Sequence, residues 1–262
     1  MDWTKSHRLF GGEVVVKPSG IYTFAHFYRN SRQLRSVILV GTNHVGDAEY
    51  YQRINDILAG CDLVLFEDSG GAQAPGEFEE FARSMLYGSD LESAFQVAMQ
   101  IYFLVAQRVL ALPTEGGSFD YQQPGWISGE REFLTEEQQT ALMEEFEARM
   151  RRIPVGRVKQ VVEFARRSVE KMDQGGYTGQ DLGDGFVFFW SDAQLVGAVS
   201  DTIGKPRDRN CLEFFDEVVR EREPKMVGIK FGAGHTAFQR QLLEERGYVR
   251  EVSTELCNIR YR

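Results

Sequence analysis

Histidine is scarce in this chain, four residues in 262, and cysteine is scarcer still at three. Cys61, Cys211 and Cys257 show no pairing pattern, which argues against a disulfide framework and suits a reducing compartment. No apolar run reaches the length of a membrane span. Val97 to Leu112 comes nearest, but Gln100, Gln107 and Arg108 interrupt it, so it reads as a core helix. The opening residues, Met1-Asp2-Trp3-Thr4-Lys5, lack the apolar stretch of a secretory signal, and a cytoplasmic location is the expectation. Basic residues are in deficit too: 30 against 39 acidic ones leave a net charge of −9, which argues against nucleic acid or an anionic membrane as the main partner. Cys-x-x-Cys, His-Glu-x-x-His and Walker sequences are missing, and without a Gly-x-Ser-x-Gly elbow nothing resembles a Ser-His-Asp hydrolase.

Against that scarcity, two of the four histidines occupy the same short motif. Gly41-Thr42-Asn43-His44 and Gly232-Ala233-Gly234-His235 each follow an apolar run, Val37 to Val40 and Val227 to Phe231, and each precedes helical patterning. This context predicts two strand-to-helix loops, the places where open α/β sheets bind ligands. A glycine three residues before the imidazole lets the backbone turn tightly. A neutral imidazole there can ligate a metal or act as a base near neutral pH. If the two strands are neighbours, His44 and His235 converge above the sheet edge. His7 and His26, in the N-terminal region without a supporting motif, read as structural.

The chain is long enough for one large α/β domain, or for a domain with a substantial insertion. Its first 40 residues are β-rich. Ser36 to Gly41, a helix with apolar Tyr51, Ile54, Ile57 and Leu58, and Asp62 to Phe66 then make a βαβ unit with parallel strands. From 77 to 185 the pattern turns helical, with segments at 77–112, 135–150 and 153–172, a capping box at Thr135-Glu136-Glu137-Gln138, and a turn-rich stretch from Pro113 to Gly129. This block reads as a helical insertion over the sheet. Gly175 to Gly185 is the most flexible-looking segment, a candidate lid with Tyr177 facing a substrate. The last 70 residues return to α/β, with a helix around 208–221 and closing antiparallel strands at 248–252 and 257–261. The fold class is α/β with α+β character: a central mixed sheet flanked by helices, with an inserted helical region.

Other residues join the histidines as candidates. Glu67 closes the strand after the first motif, so it belongs at the same sheet edge as His44, where a carboxylate completes a two-histidine metal set or serves as general base; Asp68 is its alternative. Arg209 and Asn210, placed just before a helix, suit gripping a substrate carboxylate or a developing oxyanion. Asn43 is positioned to orient a water or substrate.

Taken in order, Val40 to His44, Leu65-Phe66-Glu67, Arg207 to Asn210 and Phe231 to His235 resemble the TraB superfamily, also called TraB/PrgY/GumN. Tiki metalloproteases belong to it, and erythromycin esterase and ChaN-like haem-binding proteins are similar in fold. The resemblance implies one cleft lined by His44, Glu67, Arg209 and His235. Tiki-type members imply a divalent ion (manganese, cobalt or zinc) held by His44, His235 and Glu67 in a peptidase or amidase. Erythromycin esterases imply instead that His44 acts as a base on water without a metal. PrgY-like members, which suppress a peptide pheromone, imply capture of a peptide, haem or metal without turnover. The expected partner is a peptide or small-molecule substrate.

Overall fold

Arg35–Thr42 (β4) is apolar on both faces because both faces are covered. Its alternate residues divide between two cores. Val37 and Leu39 pack with Leu212, Phe215 and Leu243, while Ile38 and Val40 pack with Tyr51, Ile54 and Leu58. The first set comes from the helices Lys205–Arg222 (α8) and Ala233–Glu245 (α9), the second from Ala48–Leu58 (α1). The sheet is therefore the middle layer of a sandwich, as the period-2 alternation of side chains requires.

The computed structural model describes residues 5–67, 75–130 and 136–261. Its eight strands form one mixed sheet. His7–Leu9 (β1), Val14–Lys17 (β2), Gly20–Asn30 (β3) and β4 are antiparallel neighbours. Beyond β4 come Met226–Gly232 (β7), Leu63–Phe66 (β5) and Trp126–Ser128 (β6), all parallel. Val249–Arg260 (β8) runs antiparallel along β3. The two closing strands expected from the sequence are thus one long strand, with register shifts at two points that keep it paired to β3. The parallel βαβ unit is present, with β7 lying between β4 and β5.

The helical region is larger than the sequence indicated. It comprises Pro75–Leu86 (α2), Leu91–Val109 (α3), Glu136–Met150 (α4), Val155–Asp173 (α5), Gly179–Trp190 (α6) and Ala193–Val199 (α7). These helices enclose a third core around Tyr102, Val105, Val162 and Phe189. The proposed box at Thr135 lies outside the described residues. Within the turn-rich stretch, β6 extends the sheet, because Val64 of β5 donates to the Gly125 carbonyl and Gly129 donates to that of Phe66.

The glycine-rich segment is not a lid. Thr178 and Asp181 form a reciprocal capping box that starts α6 there. A Cβ on Gly183 would lie 1.8 Å from the Tyr261 hydroxyl, and one on Gly185 would lie 1.8 Å from that of Tyr102. These glycines serve close packing, not mobility. Tyr177, assigned above to a substrate, is buried and hydrogen-bonds to Tyr102 inside the helical core.

Candidate active site

Three adjacent parallel strands deliver the candidate residues to one edge. Thr42 is in register with Gly232, so both Gly-x-x-His segments leave the sheet at the same height. β5 flanks β7 on its other side, and Glu67, the next residue, accepts the Gly232 N–H at Oε2 over 2.6 Å.

The first motif leaves the strand as a loop pinned from below. Tyr51 donates to the Asn43 carbonyl at 2.9 Å, and the Asn43 amide donates to Asn258 at 2.9 Å. Asn43 lines the cleft, but this bond commits its amide to holding the loop in place. His44 is thereby turned outward, its side chain 65 % exposed. Its Nδ1 lies 2.8 Å from Oε2 of the buried Glu115. The other Glu115 oxygen accepts the Thr42 hydroxyl at 2.8 Å and the ammonium of Lys230. Lys230 is fully buried in β7, with its ammonium 4.7 Å from the centre of the Phe119 ring. The hydrogen bond and charge of Glu115 raise the pKa of His44 above its ordinary value. Burial would push Glu115 up, but His44 and Lys230 hold it below the usual carboxylate range.

The second motif is not a loop. Gly232 ends β7 and α9 begins at the next residue, so His235 sits in the first helical turn, 14 % exposed. Its Nδ1 is 2.9 Å from Asp208 Oδ1, which also accepts from Gln239 at 2.8 Å. Its Nε2 is 3.5 Å from Glu67 Oε1. Burial opposes protonation of His235, but Asp208 and Glu67 outweigh it and hold its pKa well above the ordinary value. Burial likewise works to raise Glu67, yet hydrogen bonding and charge from His235, with the Arg207 guanidinium and His44, hold it low.

The two imidazoles converge over Gly232. A Cβ there would lie 3.7 Å from His235 Cδ2, 3.9 Å from His44 Nε2 and 3.1 Å from Glu67 Oε2. Any larger residue would fill the point at which these groups meet. The cleft around it has a volume of about 380 Å³, and its lining includes Phe103, Phe186 and Trp190 from the helical region.

Arg209 stands elsewhere. The sequence reading put it before a helix, but a π-turn at Ser200–Gly204 runs straight from α7 into α8, so 207 and 209 are both helical. Two residues apart on a helix face roughly opposite ways. Arg207 lies 3.0 Å from Glu67 and bonds Glu130, whereas the exposed Arg209 lies over the Phe238 ring at 5.3 Å. Asn210 is outside the cleft lining, with its Oδ1 buried and unpaired. Asp68 falls outside the described residues. The sequence reading missed Glu115, Asp208 and Lys230. The signal for the first was a lysine inside an apolar strand, since a buried ammonium requires a carboxylate partner.

As a metal site the donor set is incomplete. Nε2 of His44 and of His235 would be the imidazole ligands, each backed by a carboxylate at Nδ1 in the way metal-binding histidines are. The third donor, Glu67, has both oxygens engaged, one by the Gly232 N–H and the other by Arg207. Among the described residues no three His, Cys, Asp or Glu side chains are placed to share an ion. His26 bonds Glu13 at 2.6 Å and Ser253 at 2.7 Å, away from the cleft. Among the described residues no helix is long and apolar enough to cross a membrane. Comparisons with family models, curated proteins and solved structures found no match to this chain.

Proposed function

We propose that this chain is a hydrolase of esters or amides in which His44 is the general base on water. The observation that carries the reading is the pair of imidazoles, each with Nδ1 fixed on a buried carboxylate and both reaching the space above Gly232. With Nδ1–H donated to Glu115, Nε2 of neutral His44 accepts a proton from water as it attacks the acyl carbon. His235, protonated at neutral pH, and Arg207 supply positive charge for the oxyanion. The proton held by His44 then passes to the leaving group. Glu67 ties Arg207 to the edge of β7 and keeps that charge in position.

A divalent ion (manganese, cobalt or zinc) between His44 and His235, with Glu67 as third ligand, is the second reading, favoured by the carboxylate behind each imidazole. It requires Glu67 to give up Arg207. Such an ion would lower the pKa of a bound water. The test is a panel of chromogenic esters and fluorogenic peptides, run before and after chelation and after reloading with each metal, beside His44→Ala. Turnover that survives chelation and is lost in His44→Ala is the expected result. Turnover lost on chelation and restored by one metal supports the second reading. Retention of full turnover by His44→Ala overturns both.

A further inference from the structure

A second cavity of about 590 Å³, larger than the cleft, lies in the helical region beside it. Five helices each turn apolar side chains into it: Phe95 and Met99 from α3, Phe146 from α4, Val158 from α5, Trp190 from α6 and Leu195 from α7. Its charged lining residues, Asp90, Glu92, Glu147 and Arg151, are exposed. Met99, Gln100, Trp190 and Val199 line this cavity and the cleft alike. None of the four is buried, and together they form the boundary that the two spaces share.

From this adjacency we infer that the second cavity is the acyl pocket of the hydrolytic site, and that the substrate is an ester of a long-chain carboxylic acid. The inference rests on the hydrolytic reading above. A peptide threaded through the same space would carry an N–H and a C=O at every residue, and the apolar walls offer them few partners. An unbranched hydrocarbon chain has no polar group to satisfy and gains from each methylene it buries. Polarity changes where the substrate must change: the chain lies among Phe95, Val158 and Leu195, and the carbonyl reaches His44, His235 and Arg207. In the reaction, water oxygen bonds to the acyl carbon while one water proton moves to His44. The bond from that carbon to the alcohol oxygen then breaks, and the alcohol leaves with the proton, so the products are a fatty acid and an alcohol.

The fatty acid product is itself a ligand, which separates binding from turnover. Calorimetric titration of the full chain with hexanoate, octanoate, decanoate and dodecanoate is expected to show affinity rising about fourfold per added methylene. Val158→Trp and Leu195→Trp, which fill the pocket from two different helices, are each expected to weaken dodecanoate by about tenfold or more. His44→Ala is expected to lose ester turnover and keep the chain-length dependence of binding. A flat or absent series in the unmodified protein overturns the acyl pocket even if short esters are hydrolysed. A rising series in a protein that turns over no ester overturns the hydrolytic reading and upholds the pocket.

Discussion

The two Gly-x-x-His segments share a sequence pattern but not a local structure. The first is a loop whose imidazole is largely exposed and hydrogen-bonds one carboxylate, Glu115, 71 residues further along the chain. The second is the opening turn of a helix, with a mostly buried imidazole between Asp208 and Glu67. Burial and partner count, not the motif, set the charge each histidine carries. The exposed, singly paired imidazole gives up its proton more readily and suits a base. The enclosed one, flanked by two carboxylates, stays cationic and suits a donor to negative charge.

That contrast is broken most directly by alanine. His44→Ala is expected to lower turnover roughly 100- to 10,000-fold, the usual contribution of general base catalysis, with little change in the melting temperature. His235→Ala is expected to lose turnover and in addition roughly 3–5 kcal/mol of stability, because Asp208 is left buried without its cation and Glu67 keeps only the cation of Arg207. Equal effects of the two variants on thermal melting would remove the distinction.

Glu115→Gln tests the support behind His44. It leaves Lys230 buried without a counter-charge and should cost roughly 3–5 kcal/mol in a denaturant titration. Adding Lys230→Met should recover most of that loss, since an apolar chain of similar length needs no partner. No recovery would mean that the pair does not act as a unit.

On the other half, Arg207→Ala is expected to reduce kcat roughly 100-fold by removing charge from the oxyanion. Arg209→Ala should change it less than about threefold, since it loses only a contact with Phe238 worth roughly 0.5–1 kcal/mol. The reverse order would return the role to Arg209.

The pH profile sharpens the comparison. Turnover should rise as His44 loses its proton and fall at higher pH as His235 loses its own, because both folded-state values lie above the ordinary one. In Glu115→Gln combined with Lys230→Met a neutral amide replaces the carboxylate whose hydrogen bond and charge raise His44, so the rising limb should move to lower pH. A rising limb that stays in place would exclude His44 as the titrating base. The smallest expected effect is that of Tyr177→Phe. It should cost about 1 kcal/mol through the lost hydrogen bond to Tyr102 and leave kcat unchanged, since Tyr177 belongs to the helical core.

Much of this was open to a reading of the residues in order. The apolar runs at 37–40, 63–66 and 227–231 set out a parallel sheet, because strands buried on both faces need no alternation. Strand ends followed by histidine or glutamate then put His44, Glu67 and His235 at one edge. The helical character of the middle was legible from its spacing, whereas β6 was not. Three residues carry too little pattern, and only pairing with β5 makes them a strand.

What the order of residues determined by itself was whatever depends on near neighbours: strand or helix, and which residue follows a strand end. Long-range partners were decided only in the folded chain. Glu115 reaches His44 and Lys230 from a turn-rich segment whose spacing announces nothing. Arg207 takes the place expected of Arg209 because the π-turn carries α7 into α8, and a helix turns residues two apart in nearly opposite directions. The glycines of 175–185 read as flexibility in sequence and became points of close contact once Tyr102 and Tyr261 were packed against them. Local pattern is governed by the backbone and its periodicity, while charge state, burial and partner depend on groups that only the fold brings together.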